Sequence, residues 1–409
     1  MAEPLTFDTL QAAVSGTAAA FRCRTTLQPA GGEGTKVFPP TYAENKYAVE
    51  QRRLPGREEP VTCVLLDSVQ SQANRMEAAL QNAVDEGFIE LPLIEVDFSE
   101  ANKSLIKPID DRITSLTAPH RLADAILRDS EVTKDGENHG KLFRDSSHAE
   151  RWRRASTANA TPIYELCPTA LIFGIWGAPE KPGGLGAKFQ RCITSEIVAI
   201  DAVANETRQG LRRDPLGITR NASVVVEGDN VWKNASEKAK NLKRPSEVNH
   251  GPILFGPSHS GVTFREAEQT LVLTLAGLRW LRFPPLDEKW RPSEQQKARD
   301  EAARLVLSAL ALTGAALASE SGYDLRSGCL LYGGRPPIWE LLDGSTGNNV
   351  QFEVTGEMAA TLLQQAVQTA KDAGIVWRSE PLTLRPSDEL VKLIRRSQEL
   401  AKQEGGEEA

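Results

Sequence analysis

Gly183-Gly184-Leu185-Gly186, followed at once by Lys188, Phe189 and Arg191, is the stretch of this sequence best suited to holding an anion. Glycines let backbone N–H groups approach a phosphate closely, and adjoining cations supply charge. On one extended strand Lys188 and Arg191 have opposite parity and cannot share a face. A second group, Arg144, Arg151, Trp152, Arg153 and Arg154, interleaves cations with an indole. Single-stranded nucleic acid needs that mixture, for its phosphates and its base faces. A solvated helix face with Trp152 anchored in the core would give the same pattern. Arg121 and Arg128 are seven apart on a helix expected over His120–Asp129. They would share a face, tracking a backbone or pairing with Asp124.

Other chemistries lack their residues. The five histidines, His120, His139, His148, His250 and His259, show no metal-ligand spacing, so no metal or cofactor is expected. No Gly-x-Ser-x-Gly occurs, and Gly-Pro-Ser-His-Ser-Gly at 256–261 lacks a strand-to-helix elbow. No Walker motif is present. The 183–186 glycines are no dinucleotide fingerprint, because a strand rather than a helix is expected after them. Carboxylate pairs such as Asp110 and Asp111 read as turn residues. The residues therefore suggest a binding protein, not an enzyme.

Forty-eight Lys plus Arg stand against 55 Asp plus Glu, a formal net charge of −7. That balance excludes a protein coated in positive charge but allows a local basic groove. The scattered Cys23, Cys63, Cys167, Cys192 and Cys329 read as reduced thiols of a reducing compartment. The most apolar stretch, Leu305–Ala318, carries Ser308, Thr313 and Gly314 and follows a charged segment, which suggests a packed core helix. The N-terminus shows no basic region leading into an apolar one. A cytoplasmic protein without membrane contact is expected.

The elements that must position these residues follow from periodicity. Leu5–Val14 is amphipathic, and alternation over Thr17–Leu27 predicts a strand with a wet, basic face. Val61–Leu66 reads as a buried strand. Asp67 and Ser68 can cap a helix running to about Glu86, with Val69, Ala73, Met76, Leu80 and Val84 as its buried stripe. Its remaining surface would carry Gln70, Gln72, Asn74, Arg75 and Gln81. Further strands are expected at Leu91–Phe98, Thr169–Trp176, Lys188–Ile200 and Asp324–Tyr332. Long helices are expected at Ser293–Ser319, Thr355–Ala373 and Ser387–Gln403. The intervals Asp129–Ser156 and Asn205–Ser260 are poor in core-forming residues and read as projecting insertions. The whole, residues 1–409, is an α+β core with insertions at 129–156 and 205–260 and a helix-rich part at 291–403.

Two blocks carry a resemblance. Val64-Leu-Leu-Asp-Ser-Val-Gln-Ser-Gln-Ala-Asn-Arg-Met-Glu77 and Gly183-Gly-Leu-Gly-Ala-Lys-Phe-Gln-Arg191, continuing through Ser195-Glu-Ile-Val-Ala-Ile-Asp201, resemble a CRISPR-associated RAMP family. It is the family of the large backbone subunit of the type I-U (I-G) Cascade effector. The resemblance implies an RRM-like, ferredoxin-like palm with inserted finger and thumb. It implies copies polymerising head to tail on the spacer of a CRISPR guide RNA, beside other Cascade subunits, to capture complementary target DNA. Carried over by position, Ser68, Gln70, Gln72, Asn74 and Arg75 would contact guide phosphates or riboses. Gly183, Gly184, Gly186, Lys188 and Arg191 would line the same path, and either polar interval could be the thumb. The residues themselves add Arg121, Arg151, Arg153 and Arg154 to the RNA-binding set. An RNA-processing ribonuclease of the same superfamily is the competing expectation, with His120 or His148 as its residues.

Overall fold

The computed structural model describes residues 2–42, 46–177, 187–206, 211–212, 214–219, 221–227, 231–235, 242–250, 253–254, 259–344 and 349–408. The chain forms an α+β fold around a ten-stranded sheet. Its strands are β1 (Glu3–Pro4), β2 (Ala20–Pro29), β3 (Val49–Arg52), β4 (Val61–Asp67) and β5 (Ile193–Ile200). They continue with β6 (Glu266–Thr274), β7 (Tyr323–Arg326), β8 (Cys329–Gly333), β9 (Ile338–Leu342) and β10 (Val350–Glu353). The order is β1-β10-β9-β2-β6-β5-β4-β3, with the β7–β8 hairpin attached through β8 to β2. The central strands β9, β2, β6 and β5 are antiparallel to their neighbours. β2 and β5 therefore run parallel with β6 between them, as do β6 and β9 with β2 between them.

Four helices cover one face of this sheet: α1 (Phe7–Ser15), α2 (Val69–Asp85), α3 (Glu294–Glu320) and α4 (Gly356–Asp372). The side chains of Thr6, Ser68, Ser293 and Thr355 cap their N-termini, each accepting a backbone N–H one turn on. α3 lies at the centre, touching the other three. By length and composition it could cross a membrane, but 83% of its apolar window is buried inside the fold. It is a core helix. The sheet's other face shows water a row of matched charges, with Arg22 on Glu340, Arg24 on Glu268 and Arg52 on Glu196. The basic face expected of β2 is thus neutralised across its strand neighbours.

Under the sheet lie two apolar clusters, one around Phe21, Leu271 and α3, the other around Leu27, Ile197 and Leu66. A buried polar layer separates them. Ser195 and Gln269 both donate to the Gln72 carbonyl, at 2.7 and 2.9 Å, and the Gln72 amide donates to Asp67. Tyr323 Oη donates to Gln269. Satisfied networks of this kind pin one register of a helix on a sheet.

Several expected elements differ. Thr169–Phe173 is a short helix, and only Ile175–Trp176 is a strand. A short, fully apolar run does not distinguish a buried helix from a strand by period. The expected strand Lys188–Ile200 breaks into Lys188–Phe189 and β5. Asp324–Tyr332 is the hairpin β7–β8, folded at Gly328, whose φ is +79°. His120–Asp129 is a 3-10 turn, Arg121–Ala123, then a separate short helix, Ala125–Arg128. Asp124, with extended backbone (φ −69°, ψ 141°), separates the two, and Arg121 itself holds φ +51°, so Arg121 and Arg128 share no face.

The two polar intervals part company. Residues 129–156 are woven into the body: Ser130–Val132 joins a four-stranded sheet with Arg112–Thr114, Ile94–Asp97 and Leu382–Pro386, and Phe143 and Trp152 are buried. That interval does not project. Between β5 and β6, Val203–Glu206 pairs with His259–Thr263 and Leu211–Arg212 with Ile253–Leu254. Val224–Glu227 pairs with Val231–Asn234 inside them. This nested series is a ribbon that leaves the sheet and returns to it.

Candidate nucleic-acid interface

Gly177 N donates to Ala187 O, and below it Ile175–Trp176 pairs with Lys188–Phe189. The two arms form an antiparallel hairpin pair, and Gly183, Gly184 and Gly186 fall between them in the sequence. Those three glycines themselves lie outside the described residues. Gly177 passes so close over the indole of Trp152 that a Cβ there would sit 2.9 Å from its ring. This brings the Arg151–Arg154 segment against the base of the hairpin.

On the outside of the hairpin, Trp176 is 74% exposed. Its cross-strand neighbour Lys188 holds its ammonium 5.4 Å from the ring centroid. At the hairpin base Gly174, at φ +83°, lets Arg191 pack over it; a Cβ would meet Arg191 Cγ at 3.0 Å. Arg191 Nε donates to Phe173 O. Arg121 donates to Gly174 O, lies over the Phe173 ring, and forks onto Glu77 of α2. His120, Arg121, Trp176, Lys188 and Arg191 thus line one open depression of about 560 Å³. The break between Phe189 and Ile193 re-aims the chain, which is why Lys188 and Arg191 share a site that strand parity would deny them.

Burial pushes the Glu77 carboxyl above its ordinary value of 4.5, against the pull of Arg121 and Arg191. Burial also lowers the Arg191 guanidinium from its ordinary value, and the nearby Arg121 charge acts in the same direction. A carboxyl raised in the fold adds stability that is fully present below its unfolded value and is lost as pH rises through the folded one. The stability difference between wild type and Glu77→Gln should therefore be largest in acid. It should fall as pH climbs above 4.5 and through the raised folded value. Urea unfolding at stepped pH checks this; a difference that grows over the same window would contradict it.

α2 joins the depression through Glu77, and its outer stripe is Gln70, Asn74, Ala78 and Asn82 at four-residue spacing. The exposed amides among them, Gln70, Asn74 and Asn82, carry no charge and suit sugar and phosphate oxygens. Ser68 is occupied as the helix cap, accepting from Ser71 N. Two of the expected contacts are corrected. Gln72 is 4% exposed and belongs to the buried layer with Ser195 and Gln269. Arg75 reaches inward, bonding Asp67 at 2.9 Å and the carbonyls of Asp324 and Leu325. The second arginine group is spent on ion pairs and carbonyls: Arg151 on Asp287, Arg153 on Arg144 O, and Arg154 on Glu150. The expected basic cluster of Arg144, Arg151, Arg153 and Arg154 is therefore largely charge-matched.

The expected RNA contacts omit Trp176 and His120. Trp176 sits in an apolar run that reads as buried, and only its place on a two-residue arm exposes it. Among the described residues no cluster of His, Cys, Asp or Glu could hold a metal ion. All five cysteines are buried free thiols.

The model of a family described as "CRISPR-associated protein GSU0053" matches residues 21–204, just under half of the chain. That span contains α2, Arg121, both arms of the hairpin and the whole of β5. Over that span the chain is similar to this family of CRISPR-associated proteins, which supports a role in CRISPR defence. No curated protein matches the chain.

Proposed function

We propose that this chain is a non-catalytic subunit that binds the guide RNA of a type I-U (I-G) Cascade effector and presents its spacer to target DNA in the cytoplasm. Copies follow one another head to tail along the guide, beside the other Cascade subunits. The observation that carries this reading is the Glu77–Arg121 ion pair, which with the Arg121 bond to Gly174 O ties α2 to the base of the cationic depression. A protein that must accept any spacer relies on phosphate, ribose and stacking contacts, not base-edge readout. Amides and cations around an open depression meet that need despite the net charge of −7.

The strand order supports an RRM-like, ferredoxin-like palm. Two crossings interlock, β2 to β5 with α2 in the connection and β6 to β9 with α3 in the connection. The ribbon between β5 and β6 is the better thumb, since 129–156 is part of the body.

Purification with its operon partners should yield RNA of uniform length. Affinity for single-stranded RNA should fall steeply with salt, because each neutralised phosphate releases a counterion. Complexes free of RNA would overturn the reading. Cleavage of repeat RNA that is lost in His120→Ala or His148→Ala would replace it with a ribonuclease. Against that alternative, His148 is buried and bonded to Asp135 at 2.7 Å, an arrangement that anchors the ring.

A further inference from the structure

Trp176 stands out because no described part of the fold buries it. A tryptophan ordinarily buries a large area and dominates the packing around it. This one leaves 74% of its surface in water on a two-residue strand arm. Its one ring contact among the described residues is a cation, Lys188. The charged side chains that line the same depression with Lys188 are cations, Arg191 and Arg121, set among the uncharged Pro119, Phe173, Ile175 and Phe189. A ring bordered by positive charge is complementary to a polyanion whose other component is a flat aromatic face.

We propose that Trp176, steadied by Lys188, is a stacking platform for one nucleobase of the bound strand. Lys188 and Arg191 meet the neighbouring phosphates. This rests on the reading of the chain as a single-strand RNA binder and adds to it the residue that engages a base. Every base has a π-face, so the platform engages a base at any spacer position without reading its identity. Lys188 serves two roles, holding the ring by cation–π attraction and adding to the positive field.

The test is titration of labelled oligouridylate and oligoadenylate with the purified full chain at several salt concentrations. Trp176→Ala should weaken both probes about tenfold, the effect of losing one stacked base. It should leave the slope of log affinity against log salt unchanged, because no phosphate contact is removed. Trp176→Phe should keep most of the affinity. Lys188→Ala should instead flatten the salt slope by about 0.7, one phosphate's share on a single strand. Trp176→Ala binding both probes as tightly as wild type, with an unchanged circular dichroism spectrum, would overturn the platform and leave RNA binding standing. The platform falls equally if that variant keeps its RNA affinity but drops out of the complex with its partner proteins, since Trp176 is then a protein contact. A wild-type chain that binds neither probe would overturn the RNA-binding reading and this inference together.

Discussion

Arg121→Ala is expected to cost the fold about 3–5 kcal/mol and to abolish RNA binding in the same step. The stability loss follows from what the substitution leaves behind. The Glu77 side chain is 5% exposed and Arg121 12%, so Glu77 would remain as a buried carboxylate without its counter-charge. Its remaining cationic neighbour, Arg191, is turned toward Phe173 O. The substitution also removes the donor to Gly174 O and the cation over Phe173, which together fix the base of the hairpin. Arg121 holds φ +51°, a conformation that costs a non-glycine residue free energy and persists only while its contacts enforce it. The loss of binding follows because the hairpin base and one cation of the depression go together.

The two effects can be separated. Glu77→Leu combined with Arg121→Met replaces a buried ion pair by apolar groups of similar volume, which is often neutral or stabilising. That double variant should recover most of the stability and little of the RNA affinity. Urea unfolding and RNA titration on the three proteins decide the matter. An Arg121→Ala protein that unfolds at the wild-type midpoint would show that the pair does not support the fold.

The second large effect divides two adjacent residues of α2. Arg75→Ala should destabilise by about 2–3 kcal/mol, because Asp67, only 4% exposed at its side chain, loses its charged partner while the carbonyls of Asp324 and Leu325 lose their donor. The figure lies below that for Arg121 because Arg75 is a third exposed and Gln72 still donates to Asp67. Asn74→Ala should change stability by no more than about 0.5 kcal/mol, since its side chain lies in water. Its effect should appear as weaker RNA binding of the folded protein. Thermal unfolding with RNA titration on each single variant tests the division. Equal stabilities for the two variants would mean that Arg75 does not tie α2 to the β7 strand.

The same pair of residues marks how far local pattern reaches. The period of Val69, Ala73, Met76 and Leu80 predicts α2, its inward face and its cap at Ser68, all of which depend on neighbours within one or two turns. The same holds for α1, α3 and α4 and for β2 and β4. Failures cluster where a short segment carries little periodicity, as at Thr169–Trp176, or where one residue's backbone departs from its neighbours, as at Arg121.

The inventory is legible in the linear chain: an α+β protein, its long helices, a glycine-rich segment flanked by cations, and two blocks resembling a CRISPR-associated family. Which polar residues belong to the surface is settled only when the chain folds. Gln72 is buried because Ser195 and Gln269, 123 and 197 residues away, arrive with the groups that satisfy it. Trp176 is exposed because it alternates with Ile175, which faces the core beside Phe189, and no described segment arrives to cover the arm's other face. Hydrogen-bond partners and burial are properties of distant chain segments meeting, and a one-dimensional pattern holds no term for that meeting.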